Sequence, residues 1–314
     1  MATAKTMRAV IARGYGGPEA LETVEVPIPT PGPAQVLVRV EAATVNPVDL
    51  ATRAGALAEA GLMAPRETTG IGWDVAGVVE RIGPAVTAFA VGQRVIGLRD
   101  LLDASLGAYA DYIALDATAV APAPADVAPS AAATLPLNAL TAAQSLDLLD
   151  LDPGGTVLVT GAAGAVGGFA VELAVRRGLH VAAHADPADG PFLERLGAEW
   201  IVDRHTADLA ADIRRLVPGG VDAAMDTAGL GVRALAAVRN RGAFATVTGG
   251  TPPIPLRGIR IHQEWISADG IALAGLAADD LTLRVAGTLP LEQAAEAHRR
   301  LAKGGLRGRL VLTP

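Results

Sequence analysis

Short runs of Val, Ile and Leu, punctuated by Pro and Gly, fill the first part of the chain. Residues 7–11, 35–42, 75–82 and 94–96 read as strands, with the Pro27–Pro33 stretch marking a turn region. In Val36-Leu-Val-Arg-Val-Glu41 polar and apolar positions partly alternate, which predicts a strand with one wet face. The pattern changes near Pro122-Ala-Pro124. From there to Gly250 continuous apolar strands alternate with helical spacing. The strands are 156–160, 180–185, 200–202, 223–225 and 243–248; the helices are 166–177, stopped by Gly178, and 192–196, ending at Gly197. Unbroken apolar strands between helices imply a parallel sheet covered on both faces. From Arg260 the character is mixed again: a helix over 270–278, a strand over 281–285, an acidic-to-basic helix over 291–303 and a last strand over 309–312 that can return to the first domain. No internal repeat is visible.

Composition narrows the chemistry. A chain of 314 residues with 51% apolar content can fill two cores, and with only 3% aromatics the packing falls to Ala, Val and Leu. A net charge of −7 gives no footprint for nucleic acid. With no cysteine, disulfides, thiolate zinc sites and a cysteine nucleophile are excluded. Residues 1–8 lack the apolar core of a signal peptide, and Ala-rich stretches such as 129–149 are too broken to span a membrane. The expectation is a soluble cytoplasmic protein without membrane or nucleic-acid partners.

The strongest chemical signal is Gly161-Ala162-Ala163-Gly164-Ala165-Val166-Gly167, which follows one predicted strand and opens a helix. Glycines let the backbone turn sharply and approach a pyrophosphate, and the helix N-terminus offers N–H groups and a positive dipole end. The order strand, glycine loop, helix predicts dinucleotide binding. Coenzyme choice is read at the end of the second strand, His180-Val-Ala-Ala-His184-Ala185, where a carboxylate would bond the ribose hydroxyls of NAD. That slot is Ala185, and Asp186 comes one residue late, on the opposite face unless the turn shifts. The missing acid favours NADP(H), with Arg204 as the first candidate cation for the 2′-phosphate, Arg195 as the second, and His184 as a further cofactor contact.

Seven segments in order then resemble one family: Met7-Arg-Ala-Val-Ile with Gly14-Tyr-Gly-Gly-Pro18; Val45-Asn46-Pro47-Val48-Asp49; Gly70-Ile-Gly-Trp-Asp74-Val-Ala-Gly77; Gly107-Ala-Tyr109-Ala-Asp-Tyr112; Leu135-Pro-Leu-Asn-Ala-Leu-Thr141; Val221-Asp-Ala-Ala-Met-Asp226-Thr; and Gly308-Arg-Leu-Val-Leu312. The chain resembles the zinc-free, zeta-crystallin-like quinone oxidoreductases of the medium-chain dehydrogenase/reductase superfamily. The resemblance implies an α/β protein with a GroES-like β-rich catalytic domain (1–121 and 265–314) and an inserted Rossmann domain with a doubly wound parallel sheet (122–264), assembled as a homodimer. It implies that Asn46 and Thr141 line the nicotinamide pocket, that Arg53 is kept in the catalytic region, that the 161–167 loop holds the pyrophosphate, and that Thr248, Gly249 and Gly250 pass near the nicotinamide. Arg204 stands where the family often has a tyrosine on the 2′-phosphate.

Other residues read as structural: Asp74 and Tyr109 and Tyr112 as packing or backbone-bonding groups, and His298 as a surface residue of a charged helix. His262 and Trp265 fall in a loop open to substrate. Two tyrosines common near the family's cleft are replaced by Ala51 and Leu57, which removes the obvious proton donor. The expected chemistry is zinc-free hydride transfer from NADPH to an electrophilic acceptor, a quinone. The alternatives are an NADPH-dependent enoyl or enone reductase and a cofactor-binding protein with a non-redox or structural role.

Overall fold

The computed structural model describes residues 5–102 and 104–314, so residues 1–4 of the leader reading lie outside the described residues. The chain divides into two compact units, 1–137 with 267–314 and 138–266. The first unit opens with β1 (Thr6–Arg13), β2 (Leu21–Pro27), β3 (Gln35–Val45), α1 (Pro47–Ala54), α2 (Ala56–Glu59), β4 (Thr68–Gly70), β5 (Asp74–Ile82), β6 (Arg94–Leu98), β7 (Tyr112–Asp116), β8 (Val120–Pro122) and α3 (Pro129–Ala132). The second holds α4 (Pro136–Leu149, entered in its first turn), β9 (Thr156–Thr160), α5 (Ala165–Arg176), β10 (His180–Ala185), α6 (Gly190–Arg195), β11 (Trp200–Asp203), α7 (Leu209–Leu216), β12 (Val221–Asp226), α8 (Val232–Leu235), β13 (Val238–Thr246) and β14 (Arg260–Gln263). The chain then returns to the first unit with α9 (Gly270–Ala278), β15 (Val285–Pro290), α10 (Ala294–Lys303) and β16 (Arg309–Thr313).

In the first unit a seven-stranded sheet runs β15-β16-β3-β5-β6-β8, with β7 also on β3, and a three-stranded sheet runs β2-β1-β4. β16 pairs antiparallel with β3, Leu310 opposite Val45, so the last strand does return to the first domain. β3 is the centre: Val36, Leu37 and Val38 are fully buried, while Arg39 and Glu41 keep to the wetter face and pair at 3.1 Å. Tyr109, Val75, Val95 and Leu310 close the core around it.

One predicted strand starts late. Leu281, Leu283 and Val285 alternate like a strand, yet pairing with β16 begins only at Val285. Gly308 lies against the Arg284 backbone, where a Cβ would meet the Arg284 carbonyl oxygen at 2.4 Å. The Arg309 N–H donates to that oxygen at 3.0 Å, so the ladder opens there.

The second unit is a six-stranded, fully parallel sheet ordered β11-β10-β9-β12-β13-β14. Its register aligns His184, Thr160, Asp226, Thr246 and Gln263 in one row across the carboxyl ends of the strands. In α/β sheets that edge is where ligands bind. Leu158, Ala224, Ile213 and Phe244 fill the core below. Aromatics are scarce, so the one buried Phe of this core carries an outsized share of the packing. Phe244→Ala is expected to destabilise the protein by about 3–5 kcal/mol, measured as a lower urea midpoint; a shift under about 1 kcal/mol would mean that the sheet repacks freely around the gap.

Candidate functional site

In the second unit the glycine loop joins β9 to α5. Gly161 has φ +59, the left-handed region that suits glycine. Gly164, at φ −72 and ψ 176, is the residue at which α5 starts, and its N–H donates to the Gly161 carbonyl at 2.8 Å. Gly167 sits so close to the turn that a Cβ would lie 2.2 Å from the Gly161 oxygen. The loop is tied to the next strand by Ala162 N–H donating to the His184 carbonyl at 3.2 Å. Thr227 anchors it from the other side, its hydroxyl donating to the Thr160 carbonyl at 2.6 Å. Residues 161–167 therefore have the turn, the close approach and the helix N-terminus that a pyrophosphate needs.

His184, next to the last residue of β10, is almost wholly buried, and neither ring nitrogen has a hydrogen-bond partner among the described residues. Burial, then the nearby Arg233 and Arg204, push its pKa down, so the ring is neutral at neutral pH. Arg204 is exposed just past β11, its backbone N–H held by the Ala185 carbonyl at 2.8 Å. Asp186 uses one oxygen to accept from Ala188 N–H at 3.0 Å, and the other faces His205 at 3.8 Å. Thr141 is buried on α4. Thr248 follows β13, its hydroxyl 3.2 Å from that of Thr246, and Gly249 and Gly250 are exposed beyond it. His262 lies on β14 rather than in a loop, and Trp265 is exposed.

In the first unit Asn46 starts α1 and is fully buried. Its Nδ2 donates to Asp74 at 2.6 Å and to the Thr44 hydroxyl at 3.1 Å, and the Thr44 hydroxyl donates to the same Asp74 oxygen. The other Asp74 oxygen accepts the Leu137 N–H at 2.5 Å. Asp49, three residues into α1, reaches back to the Asn46 N–H at 2.7 Å and also accepts from the Gly72 N–H at 3.1 Å and the Tyr109 hydroxyl at 3.1 Å. Burial pushes Asp49 up to about 7 and Asp74 up to about 6, against these donors and, for Asp74, the charge of buried Arg309. The Asn-x-x-Asp spacing is a capping arrangement that identifies Asp49 from sequence. Tyr109 bonds a carboxylate, not backbone.

His298 is a correction. It is fully buried on the inner face of α10 beside Ala294 and Ala297, its ring edge-on to Tyr109 at 5.9 Å. The surrounding Glu and Arg residues describe only the outer face of that helix. Burial, then Arg53, lowers its pKa to about 3. The Arg53 NH1 donates to Nδ1 at 3.2 Å and the Arg53 Nε donates to the Gly16 carbonyl at 3.2 Å. The side chain of Arg53 is thus engaged inside its own unit.

Among the described residues no helix is long and apolar enough to cross a membrane, and no group of three His, Cys, Asp or Glu is arranged to hold a metal. Two family profiles match the chain: the alcohol dehydrogenase GroES-like domain over residues 32–125 and the zinc-binding dehydrogenase over residues 196–312. A chloroplastic quinone-oxidoreductase homolog of Spinacia oleracea is 37% identical over 66% of this chain, and the match spans 64% of that protein's length. A quinone oxidoreductase of Sus scrofa is 30% identical over 98% of both chains. The solved structure of a mycobacterial protein complexed with NADPH is 30% identical, covers 98% of this chain and 100% of its own, and superposes with a TM-score of 0.83.

The buried carboxylates generate a pH test. In the unfolded chain an aspartate titrates near 3.9. Between that value and the raised folded values the native state holds protons that the unfolded state has lost, so stability falls as pH rises through the window. Asp49→Asn removes the Asp49 share. Wild type should lose ground to the variant between about pH 4 and pH 7, by at most about 1.4 kcal/mol per pH unit, in paired urea titrations. A pH-independent difference would contradict the raised value.

Proposed function

The chain belongs to the quinone-oxidoreductase-like family of the medium-chain dehydrogenase/reductase superfamily, and on that premise we propose that it is an NADPH-dependent reductase that transfers hydride to a quinone-like acceptor without zinc. The observation that carries the reading is the 161–167 loop, set at the carboxyl end of β9 beside a second strand that ends in Ala185 instead of an acid. NADPH supplies the hydride. The loop amides and the start of α5 bind its pyrophosphate, and Arg204 meets the 2′-phosphate. Asn46, Thr141 and Thr248 to Gly250 serve the nicotinamide side, with Asn46 held rigidly by Asp74 and Asp49. A quinone that accepts hydride becomes a hydroquinone monoanion, and a proton from water completes the hydroquinone. Such an acceptor needs no strong acid from the protein, which agrees with Ala51 and Leu57 in place of tyrosines. The chain has no cysteine for the thiolate zinc sites of related alcohol dehydrogenases.

Consumption of NADPH against matched panels of quinones and enones tests the acceptor. Turnover of quinones is expected; turnover confined to enones overturns the acceptor assignment, and none with either overturns the reductase reading. Gly164→Asp tests the loop. Gly164 has an ordinary φ, and Asp is a favourable helix start. A Cβ there lies 3.0 Å from the Gly161 oxygen, so the variant should fold with a modestly lower melting temperature and yet lose NADPH binding, because its carboxylate faces the pyrophosphate. Undiminished affinity would remove the loop from the site. Arg204→Ala should weaken NADPH binding about tenfold or more and NADH binding far less; equal losses would mean that Arg204 does not meet the 2′-phosphate.

A further inference from the structure

The carboxyl end of β10 gathers more positive charge than Arg204 alone. Arg233, on α8, extends its guanidinium to the loop after β11, where NH2 donates to the Thr206 carbonyl at 3.3 Å. That is the loop that carries Arg204, and Arg204 N–H to Ala185 O fastens it to the end of β10. Both arginines act electrostatically on the His184 ring, Arg233 more strongly.

The acids in the neighbourhood are committed elsewhere. Asp226 accepts the Thr160 hydroxyl at 2.5 Å and the Leu230 N–H at 3.1 Å on one oxygen, and the Gly231 N–H at 2.7 Å on the other. Asp203 accepts the His205 N–H at 2.9 Å. Asp186 caps the turn at Ala188 and faces His205. These carboxylates fix backbone, while Arg204, exposed, has no side-chain partner among the described residues. Both guanidinium charges act on His184, whose two ring nitrogens are buried and have no hydrogen-bond partner among the described residues. Buried polar atoms are almost always paired, and a neutral imidazole has one donor and one acceptor to offer.

We propose that Arg233 joins Arg204 in clamping the 2′-phosphate of a 2′-phosphorylated adenosine above the His184 imidazole, so that a pair of guanidinium groups, one from the loop after β11 and one from α8, sets coenzyme choice. The inference rests on the NADP(H) reading and adds to it a residue more than forty positions from the second strand's end, on a different βα connection. Two guanidinium groups can approach a phosphate from two sides and supply paired N–H donors to its oxygens. His184 lends an uncharged floor, so it adds no third positive charge to the pair.

Calorimetric titration with adenosine 2′,5′-bisphosphate and adenosine 5′-monophosphate tests this without turnover. Wild type should prefer the bisphosphate. Arg233→Ala should weaken the bisphosphate about tenfold, roughly 1.4 kcal/mol, and leave the monophosphate within about twofold; Arg233→Lys should recover part of the loss. Equal weakening of both ligands, or an unchanged preference, overturns the clamp while leaving the NADP(H) reading intact. A wild type that does not distinguish the two ligands overturns the NADP(H) reading, and the clamp with it.

Discussion

The closest backbone approach in the second unit governs what that unit can do. A side chain at Gly167 would collide with the Gly161 carbonyl and with the Ala162 Cα, 2.8 Å away. Only a residue without Cβ lets α5 start this near the end of β9, and only there do its N–H groups and dipole face the crevice above the sheet. The position then spreads through backbone bonds. Ala162 holds the end of β10 at His184, and Ala185 holds the loop after β11 at Arg204. The glycine loop, the end of β10 and the loop after β11 are one hydrogen-bonded rim, so disturbance at Gly167 would reach all three.

The first unit solves a different problem. It buries two carboxylates, Asp49 and Asp74, in one small network with Asn46, Thr44, Tyr109 and Leu137. Burying charge is costly unless donors surround it. Here backbone N–H groups, an amide and hydroxyls supply them, and buried Arg309, itself pushed down to about 10 by burial, supplies the opposing charge. The outcome is a helix start with little freedom: Asn46 is fixed from its side chain by Asp74 and from its backbone by Asp49. Farther along α1, Arg53 and His298 lock its last turn to Gly16 and α10.

Much of the fold was legible because its signals were local. Strands 156–160 and 180–185, the helix after Gly164 and the helix over 270–278 each followed from apolar periodicity and a glycine or cap at the end. The short β4, β8 and β14 gave no such signal, since Thr68-Thr-Gly70, Val120-Ala-Pro122 and Arg260-Ile-His-Gln263 contain no run of β-branched apolar residues. The late start of β15 was set by a distant glycine, Gly308, which no local pattern contains. The site divides the same way. The 161–167 glycine loop is contiguous, and its sharp turn and the start of α5 were readable. The Asp49–Tyr109–His298–Arg53 chain joins α1, the segment before β7 and α10, and its members looked unrelated in sequence. His298 misled because helical amphipathicity is carried by apolar residues, and here a neutral imidazole takes an inward position among alanines.

Coenzyme preference illustrates why single positions decode poorly. Ala185 says only that one carboxylate is missing. Asp186 comes one residue later, and its oxygens meet the Ala188 N–H and His205. Three aspartates near the rim carry formal negative charge enough to repel a phosphate. What decides the field is where that charge is used. Each of them accepts hydrogen bonds from backbone N–H groups, which draws its charge onto the protein's own amides. The guanidinium groups of Arg204 and Arg233 stay at the exposed rim. A chain of net charge −7 need not repel an anion at every point of its surface, because hydrogen bonding apportions charge over a few ångströms while exposed charges farther off than a Debye length of about 8–10 Å are largely screened.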